Sequence, residues 1–172
     1  MKLVKLISIL IILACSIYLI MFAITSSIPG AIESTVSNTT EQTTSAPQTE
    51  ICSGSALCIV GRVTAVIDGD TLEIDGIRIR LALVNTPEKD ESGYNEAKEF
   101  TKMVCAIGTH AIADQDDGQP YDRYNRVVAK VICEGVNLNA ALLENGHAKI
   151  LTSYCSKSEF RTEWWARKYG CG

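Results

Sequence analysis

The sequence of 172 residues contains only two histidines and no pair of cysteines spaced as C-x-x-C. The two histidines, His110 and His147, also stand apart from the cysteines. Zinc sites are usually built from closely spaced cysteine and histidine ligands. The sequence therefore argues against a zinc site, and we assign neither histidine a catalytic role.

The sequence also has no excess of basic residues over acidic ones. The formal net charge is −4 at pH 7, and the isoelectric point is about 5.2. Proteins that bind long polyanions usually carry a basic surface. Affinity for a polyanion should therefore be modest and strongly salt-dependent, and it would depend on a few local cationic residues.

Residues 6–25 contain no charged residue, and they follow Lys2 and Lys5. Roughly 20 apolar residues can span a bilayer as a helix, so we expect residues 1–25 to form an uncleaved membrane anchor with its lysines inside. A signal peptide cleaved within residues 26–31 is the alternative, and a lipoprotein at Cys15 is a weaker one. Each interpretation exports the rest of the chain.

Residues 26–50 are rich in serine and threonine and have almost no large apolar side chain, which predicts a linker without a core. Residues 51–172 are long enough for one compact domain. This domain holds six of the seven cysteines. An even number of cysteines in an exported domain favours disulfides, although many pairings are possible.

Sequence position suggests how these cysteines pair. If His110–Asp114 and Val127–Ile132 form a hairpin that turns near Gln119, Cys133 lies opposite about Ile107 and so close to Cys105. The other cysteines bracket the last predicted helix and a short N-terminal loop. The predicted disulfides are Cys52–Cys58, Cys105–Cys133 and Cys155–Cys171.

Alternating apolar residues predict five strands in the domain, and helical spacing predicts three helices. The Asp75-Gly76 pair is a strong hairpin signal between the second and third strands. The predicted strands are Val60–Val66, Thr71–Ile74, Ile77–Leu81, His110–Asp114 and Val127–Ile132. The predicted helices cover Glu91–Val104, Val136–His147 and Ser156–Tyr169, and the Trp164-Trp165 pair is expected to pack on the sheet. We therefore predict a mainly β, α+β fold, with a five-stranded barrel of the OB type.

Three polar clusters interrupt the apolar pattern. They are Asp68-Gly69-Asp70-Thr71, Arg80 with Asn85-Thr86-Pro87-Glu88, and Asp122-Arg123-Tyr124-Asn125-Arg126. Each alone is unremarkable in a turn or at a strand end, but a closed barrel would bring them together. Phosphodiester hydrolysis needs such a set: oxygen ligands for a hard cation, a carboxylate that acts on water, and guanidinium groups.

The order and spacing of these clusters, together with Val136–Ala148, resemble the staphylococcal nuclease (thermonuclease) family over roughly residues 60–154. The resemblance implies a five-stranded OB-type barrel with three helices. It also implies a Ca²⁺-dependent nuclease that cleaves DNA and RNA at the 5′-oxygen side and leaves 3′-phosphates.

The resemblance also implies roles for individual residues. Arg80 and Arg126 match the two arginines that bind the phosphate, and Glu88 matches the carboxylate that acts on the attacking water. The implied metal ligands are the Asp70 carboxylate, Asn85 and the Thr86 backbone carbonyl. Arg123 and Tyr124 fall where the family contacts the terminal phosphate of the bound nucleotide. We expect the domain to be monomeric.

Two features depart from the family pattern. Asn85 stands where the best-known member has a second aspartate ligand, so calcium affinity should be lower. The loop Lys89–Tyr94 is also shorter and less basic, which removes lysines that could contact the nucleic acid.

Two other interpretations remain. The domain could be a non-catalytic OB-type module that binds nucleic acid at the cell surface, although such a module has no need of Glu88 together with both arginines. It could also be a calcium-stabilised structural domain of the surface layer, which would explain Asp70 but neither arginine.

Overall fold

The computed structural model describes residues 52–172. The predicted anchor and linker lie outside the described residues. Within residues 52–172, no helix is both long enough and apolar enough to cross a membrane.

The domain contains eight strands, five of which form a closed barrel. Strands β1, β2, β3, β5 and β6 are hydrogen-bonded in the order β3-β2-β1-β5-β6, and a parallel pairing of β3 with β6 closes the circle. The strands are β1 Cys58–Val66, β2 Thr71–Ile74, β3 Ile77–Leu81, β4 Val84–Asn85, β5 His110–Gln115, β6 Val127–Cys133, β7 Val136–Asn137 and β8 Lys149–Ile150. The predicted five-stranded barrel is confirmed.

Local sequence explains the first three strands. Asp75 and Gly76 both have positive φ, 47° and 80°, which is the backbone of a two-residue turn whose twist matches that of a hairpin. The turn fixes the register of β2 on β3, in which Thr71 lies opposite Arg80. It therefore places the polar residues at the start of β2 beside the end of β3.

Three helices accompany the barrel: α1 Tyr94–Val104, α2 Leu138–Glu144 and α3 Trp164–Ala166. α1 begins three residues later than predicted because Gly93 has a φ of 94°, outside the helical range. α2 is shorter than predicted because Val136 and Asn137 form β7. The Asn137 side chain caps α2 by accepting a hydrogen bond from the Ala140 backbone N–H at 3.0 Å.

The prediction of one continuous third helix is wrong. A 3₁₀ turn at Glu159–Thr162, the single α3 turn and a wide turn at Arg167–Cys171 take its place. Glu163 is extended between the first two because its carboxylate bonds Lys130 Nζ at 2.7 Å and Trp165 Nε1 at 2.8 Å. Trp165 packs in the core as expected, whereas Trp164 is 56% exposed.

The structure pairs the six cysteines as predicted, with Cα–Cα separations of 5.9, 5.4 and 5.3 Å along the chain. The hairpin differs in register from the prediction, because Cys133 lies opposite Ala111 rather than Ile107. β5 continues to Gln115, which pairs with Ala129, so the loop is centred near Asp122. Cys105 reaches Cys133 from the end of α1.

Candidate active site

A polar cleft of about 440 Å³ lies where the three predicted clusters meet. Its walls are the β2–β3 end of the barrel, the turn after β4, the loop between β5 and β6, and the segment after β8. It is lined by Asp68, Asp70, Arg80, Leu81, Leu83, Asn85, Glu88, Asp116, Gln119, Asp122, Arg123, Tyr124, Arg126, Val128, Leu151 and Tyr154. All the predicted site side chains thus line one cleft, and the Thr86 backbone adjoins it.

Asp70 lies buried at the floor of the cleft. Its Oδ2 accepts a hydrogen bond from the Thr86 backbone N–H at 2.8 Å. The preceding Gly69 is required, because a Cβ at this position would lie 2.7 Å from Thr86 Oγ1. Thr101 of α1 donates a hydrogen bond to the Gly69 carbonyl at 2.6 Å, which fixes the turn. The Asp-Gly-Asp turn is therefore built to hold one carboxylate against the chain after β4.

Asp70 and Arg80 form an ion pair that is largely removed from water, with 3.1 Å between Oδ2 and Nη2. Burial raises the pKa of Asp70, although Arg80 and the Thr86 N–H oppose the change. Burial likewise lowers the pKa of Arg80, although Asp70 opposes that change. Each group therefore offsets part of the cost of burying the other.

The Arg80 guanidinium group also donates hydrogen bonds to three oxygen atoms. Its Nη1 donates to the Val84 carbonyl at 2.6 Å and to the Leu81 carbonyl at 3.1 Å. Its Nη2 donates to Asn85 Oδ1 at 3.2 Å. The guanidinium group is consequently pre-oriented at the cleft before any ligand binds.

Arg126 is oriented by Asp122, a residue that the sequence analysis left without a role. Asp122 Oδ2 accepts from Arg126 Nε at 2.7 Å, and Oδ1 accepts from the Arg126 and Tyr124 backbone N–H groups at 2.9 Å each. Arg126 Nη1 also donates to Thr71 Oγ1 at 3.0 Å. Because Thr71 pairs with Arg80 across β2 and β3, both guanidinium groups converge on the same end of the barrel.

The predicted metal ligands lie next to one another. Asn85 Nδ2 donates to the Thr86 carbonyl at 3.3 Å, and Asp70 binds the Thr86 N–H. They supply a carboxylate, an amide and a backbone carbonyl, and Asp68 lies close enough to raise the pKa of Asp70. Hard divalent cations prefer such oxygen donors, so the donor set fits one. Within residues 52–172, no group of three or more His, Cys, Asp or Glu side chains forms a metal site.

Glu88 is exposed at the mouth of the cleft. A tight turn holds its backbone, since the Glu88 N–H donates to Glu91 Oε2 at 2.9 Å and the Glu91 N–H donates to the Glu88 carbonyl at 2.8 Å. The turn leaves the Glu88 carboxylate facing the cleft, where solvent can reach it.

Arg123 and Tyr124 lie at another edge of the cleft. Tyr124 is 65% exposed, and the guanidinium carbons of Arg123 and Arg126 lie 4.7 and 5.4 Å from the centre of its ring. The three side chains form one surface that combines an aromatic face with two positive charges.

Several residues that the sequence does not predict also shape the cleft. Asp116 is buried and accepts hydrogen bonds through Oδ1 from the backbone N–H groups of Gly118 at 3.0 Å and Glu159 at 3.2 Å. Tyr154 comes from the C-terminal segment and also lines the cleft. The other apolar residues there are Leu81, Leu83, Val128 and Leu151. Tertiary packing alone brings these residues together, so no local pattern indicates them.

Comparison with known proteins identifies relatives of this chain. The profile of the family described as "Staphylococcal nuclease homologue" matches residues 78–168, more than half of the chain. An "Uncharacterized endonuclease" of Escherichia coli is 32% identical over 111 residues, which cover 60% of this chain and 70% of that protein. The "Succinoglycan biosynthesis protein ExoI" of Rhizobium meliloti (strain 1021) is 35% identical over 103 residues, covering 55% of this chain and 53% of that protein.

The matched range contains Arg80, Glu88 and Arg126, and it includes the strands that close the barrel. Family membership therefore favours the nuclease over a binding module or a structural domain. The chain belongs to the staphylococcal nuclease homologue family, and it is a nuclease, a phosphodiester hydrolase.

Proposed function

We propose that the protein is an exported nuclease that uses Ca²⁺ to hydrolyse DNA and RNA, breaking the P–O5′ bond and leaving 3′-phosphates. The observation that carries this proposal is the convergence of Arg80 and Arg126 on one cleft with Asp70 and Glu88. A phosphodiester in this cleft meets two guanidinium groups, a solvent-accessible carboxylate and a set of oxygen donors.

Arg80 and Arg126 bind the phosphate and stabilise the charge that develops on its oxygen atoms. Guanidinium groups suit this role because they combine a fixed positive charge with several N–H donors. Arg126 has N–H donors left for the phosphate, whereas Arg80, whose Nη groups already contact four oxygen atoms, exchanges one of these partners for it. Since Asp122 and the Val84 carbonyl already orient them, little reorganisation accompanies the reaction.

Glu88 acts as the general base. Its carboxylate takes a proton from the attacking water, and the water oxygen forms the new bond to phosphorus. As the P–O5′ bond breaks on the opposite side, its electron pair stays on O5′, which takes a proton from solvent. The exposed position of Glu88 allows a water molecule to lie between the carboxylate and a bound phosphate.

Asp70, Asn85 and the Thr86 carbonyl would hold the cation, and Ca²⁺ has the matching preference for oxygen ligands. When bound, a divalent cation supplies positive charge beside the scissile phosphate. Asn85 contributes no negative charge, so we expect a weak site suited to a calcium-rich exterior.

Arg123 and Tyr124 contact the substrate beyond the scissile phosphate. The exposed Tyr124 ring offers a face for a base or sugar, and Arg123 offers a charge for the next phosphate. The apolar wall near Tyr154 accepts an uncharged part of the nucleotide.

Export and membrane anchoring complete the proposal. Three disulfides in one small domain are typical of an oxidising compartment. We propose that residues 1–25 anchor the monomer and that residues 26–50 tether it, with secretion after signal cleavage as the alternative.

Product analysis tests the chemistry. Full-length protein with Ca²⁺ should convert single-stranded DNA and RNA into fragments whose 3′ ends release inorganic phosphate when treated with a phosphatase. Addition of a chelator should stop product formation. Fragments with 5′-phosphates, or undiminished cleavage in chelator, would contradict the proposed bond or the proposed cation.

A further inference from the structure

A second groove, of about 720 Å³, adjoins the cleft at Asn85. Asn85 lines both cavities, so they lie side by side at this residue. The turn before α1 forms one wall of the groove, and Gly146–Lys149 forms the other. The lining of the groove includes one cationic side chain, Lys149, and one carboxylate, Glu91, whose Oε2 accepts the Glu88 backbone N–H at 2.9 Å.

Lys149 is the direct cross-strand partner of Asn85. The two residues are paired in the antiparallel β4–β8 ladder, next to the pair formed by Val84 and Ile150. Side chains directly opposite one another in such a ladder project from the same face, with Cβ atoms about 5 Å apart. Lys149 therefore projects on the face that Asn85 presents to the cleft and groove.

The charge of Lys149 is available for a ligand. Its side chain is exposed, and within residues 52–172 its ammonium group makes no ion pair. An aspartate at position 85 would place a carboxylate directly opposite and would attract the ammonium group. The neutral Asn85 side chain leaves the positive charge of Lys149 unpaired.

The cleft also opens at a second edge. Asp68, Tyr124 and Arg126 line both the cleft and a third groove of about 550 Å³. A nucleic acid strand bound at Arg80 and Arg126 can therefore leave the cleft past Tyr124 as well as past Asn85. This arrangement fits a continuous strand better than a chain end.

We propose that Lys149 binds the phosphate adjacent to the scissile phosphate, on the part of a single strand that leaves the cleft over Asn85. The inference rests on the proposed function for the position of the scissile phosphate. Because an ammonium group on a flexible stem is a point charge, the contact is independent of base sequence and sensitive to salt.

This contact can be tested by the binding of a labelled dodecanucleotide in the presence of Ca²⁺. The full-length protein should carry Glu88→Gln, so that the substrate is bound without being hydrolysed. Lys149→Gln should lower the slope of log affinity against log salt by about 0.7, the value for one phosphate contact on a single strand. Lys149→Arg should restore the slope. Lys102→Gln is the matched control, because Lys102 lies on α1 outside the cleft and both grooves and pairs with Glu99.

Hydrolysis gives a second, independent readout in protein that retains Glu88. Lys149→Gln should raise KM several-fold for the dodecanucleotide and leave kcat unchanged, while hydrolysis of a dinucleotide should stay at the wild-type rate. An unchanged salt slope, or an equal loss on both substrates, would overturn the role of Lys149. A wild-type protein that hydrolyses neither substrate would instead overturn the proposed function, and the binding slopes would still decide the role of Lys149.

Discussion

The Asp122 carboxylate makes three contacts with Arg126. One carboxylate oxygen contacts both Nε and Nη2, at 2.7 and 2.6 Å, and the other accepts the Arg126 backbone N–H at 2.9 Å. Asp122 and Arg126 are four residues apart, and Asn125 between them has a φ of 60°. The loop therefore turns so that the backbone N–H and the guanidinium group of Arg126 both contact the Asp122 side chain. Asp122 is therefore a positioning residue for a guanidinium group that we place on the phosphate.

The first prediction concerns this contact. Asp122→Ala should lower kcat on single-stranded DNA about 100-fold, since a displacement of about 1 Å in a catalytic group can cost that much. Circular dichroism should show an intact fold. A variant with wild-type kcat would mean that Arg126 is oriented by other groups.

The second prediction is a pH dependence of stability. Burial opposes ionisation of Asp122, but hydrogen bonds from Arg126 and Tyr124 outweigh it and lower the pKa of Asp122 below its ordinary value of 3.8. A lowered native pKa stabilises the fold above pH 3.8, and this contribution disappears as the pH falls through the native pKa.

Urea unfolding of wild-type protein and Asp122→Asn from pH 7 to pH 2 measures this contribution. The stability difference between the two proteins should be constant at neutral pH and should shrink below about pH 4. A difference that persists undiminished at the lowest pH would show that the ionised carboxylate contributes nothing.

The third prediction concerns Asn139, a fully buried amide in α2. Its side chain accepts a hydrogen bond from the Val131 N–H at 2.9 Å and donates one to the Ala82 carbonyl at 2.9 Å. These bonds connect α2 to β6 and to the chain after β3. Asn139→Ala leaves both backbone groups unsatisfied and should lower the free energy of unfolding by about 3 kcal/mol.

Asn145 offers a matched control. It is exposed, and among residues 52–172 its side-chain amide bonds only the Ala141 carbonyl, one turn earlier in α2. Denaturant titration should show a change below about 0.5 kcal/mol for Asn145→Ala. Equal losses for the two variants would contradict a specific bridging role of Asn139.

The fourth prediction concerns the cation. Asn85→Asp should tighten Ca²⁺ binding about tenfold in calorimetric titrations, because it adds a negative charge to the proposed ligand set. The same substitution places a carboxylate opposite Lys149, so it should also weaken binding of a long single strand. Unchanged Ca²⁺ affinity would show that the side chain at position 85 is not a ligand.

The sequence predicts best where local rules decide the structure. The observed β2 and β3 have their predicted bounds because the Asp75-Gly76 turn and the alternation of apolar residues act over a few residues. Asp70 and Arg80 meet because the same turn sets the register of β2 on β3, and closure of the barrel by β3 and β6 brings Arg126 to them. Their proposed roles came from the resemblance to a family, and its profile matches this chain.

The sequence predicts the structure poorly where contacts between distant parts of the chain determine it. The last helix is interrupted because Glu163 bonds Lys130 of β6, and Gly170 has a φ of 137°. Amphipathic spacing carries no information about either constraint. Asp116 and Tyr154 line the cleft for a similar reason, since packing of the C-terminal segment on the loop after β5 brings them there.

The central claim is that Glu88 is the general base of a phosphodiester hydrolase, and the Glu88→Gln variant tests it most directly. The rate of digestion of single-stranded DNA should be measured for wild type and variant at saturating Ca²⁺, with substrate affinity determined in parallel. We predict that kcat falls by about 1,000-fold, within the range for loss of general base catalysis, while the affinity and the fold are preserved. Digestion by Glu88→Gln at the wild-type rate would contradict the mechanism.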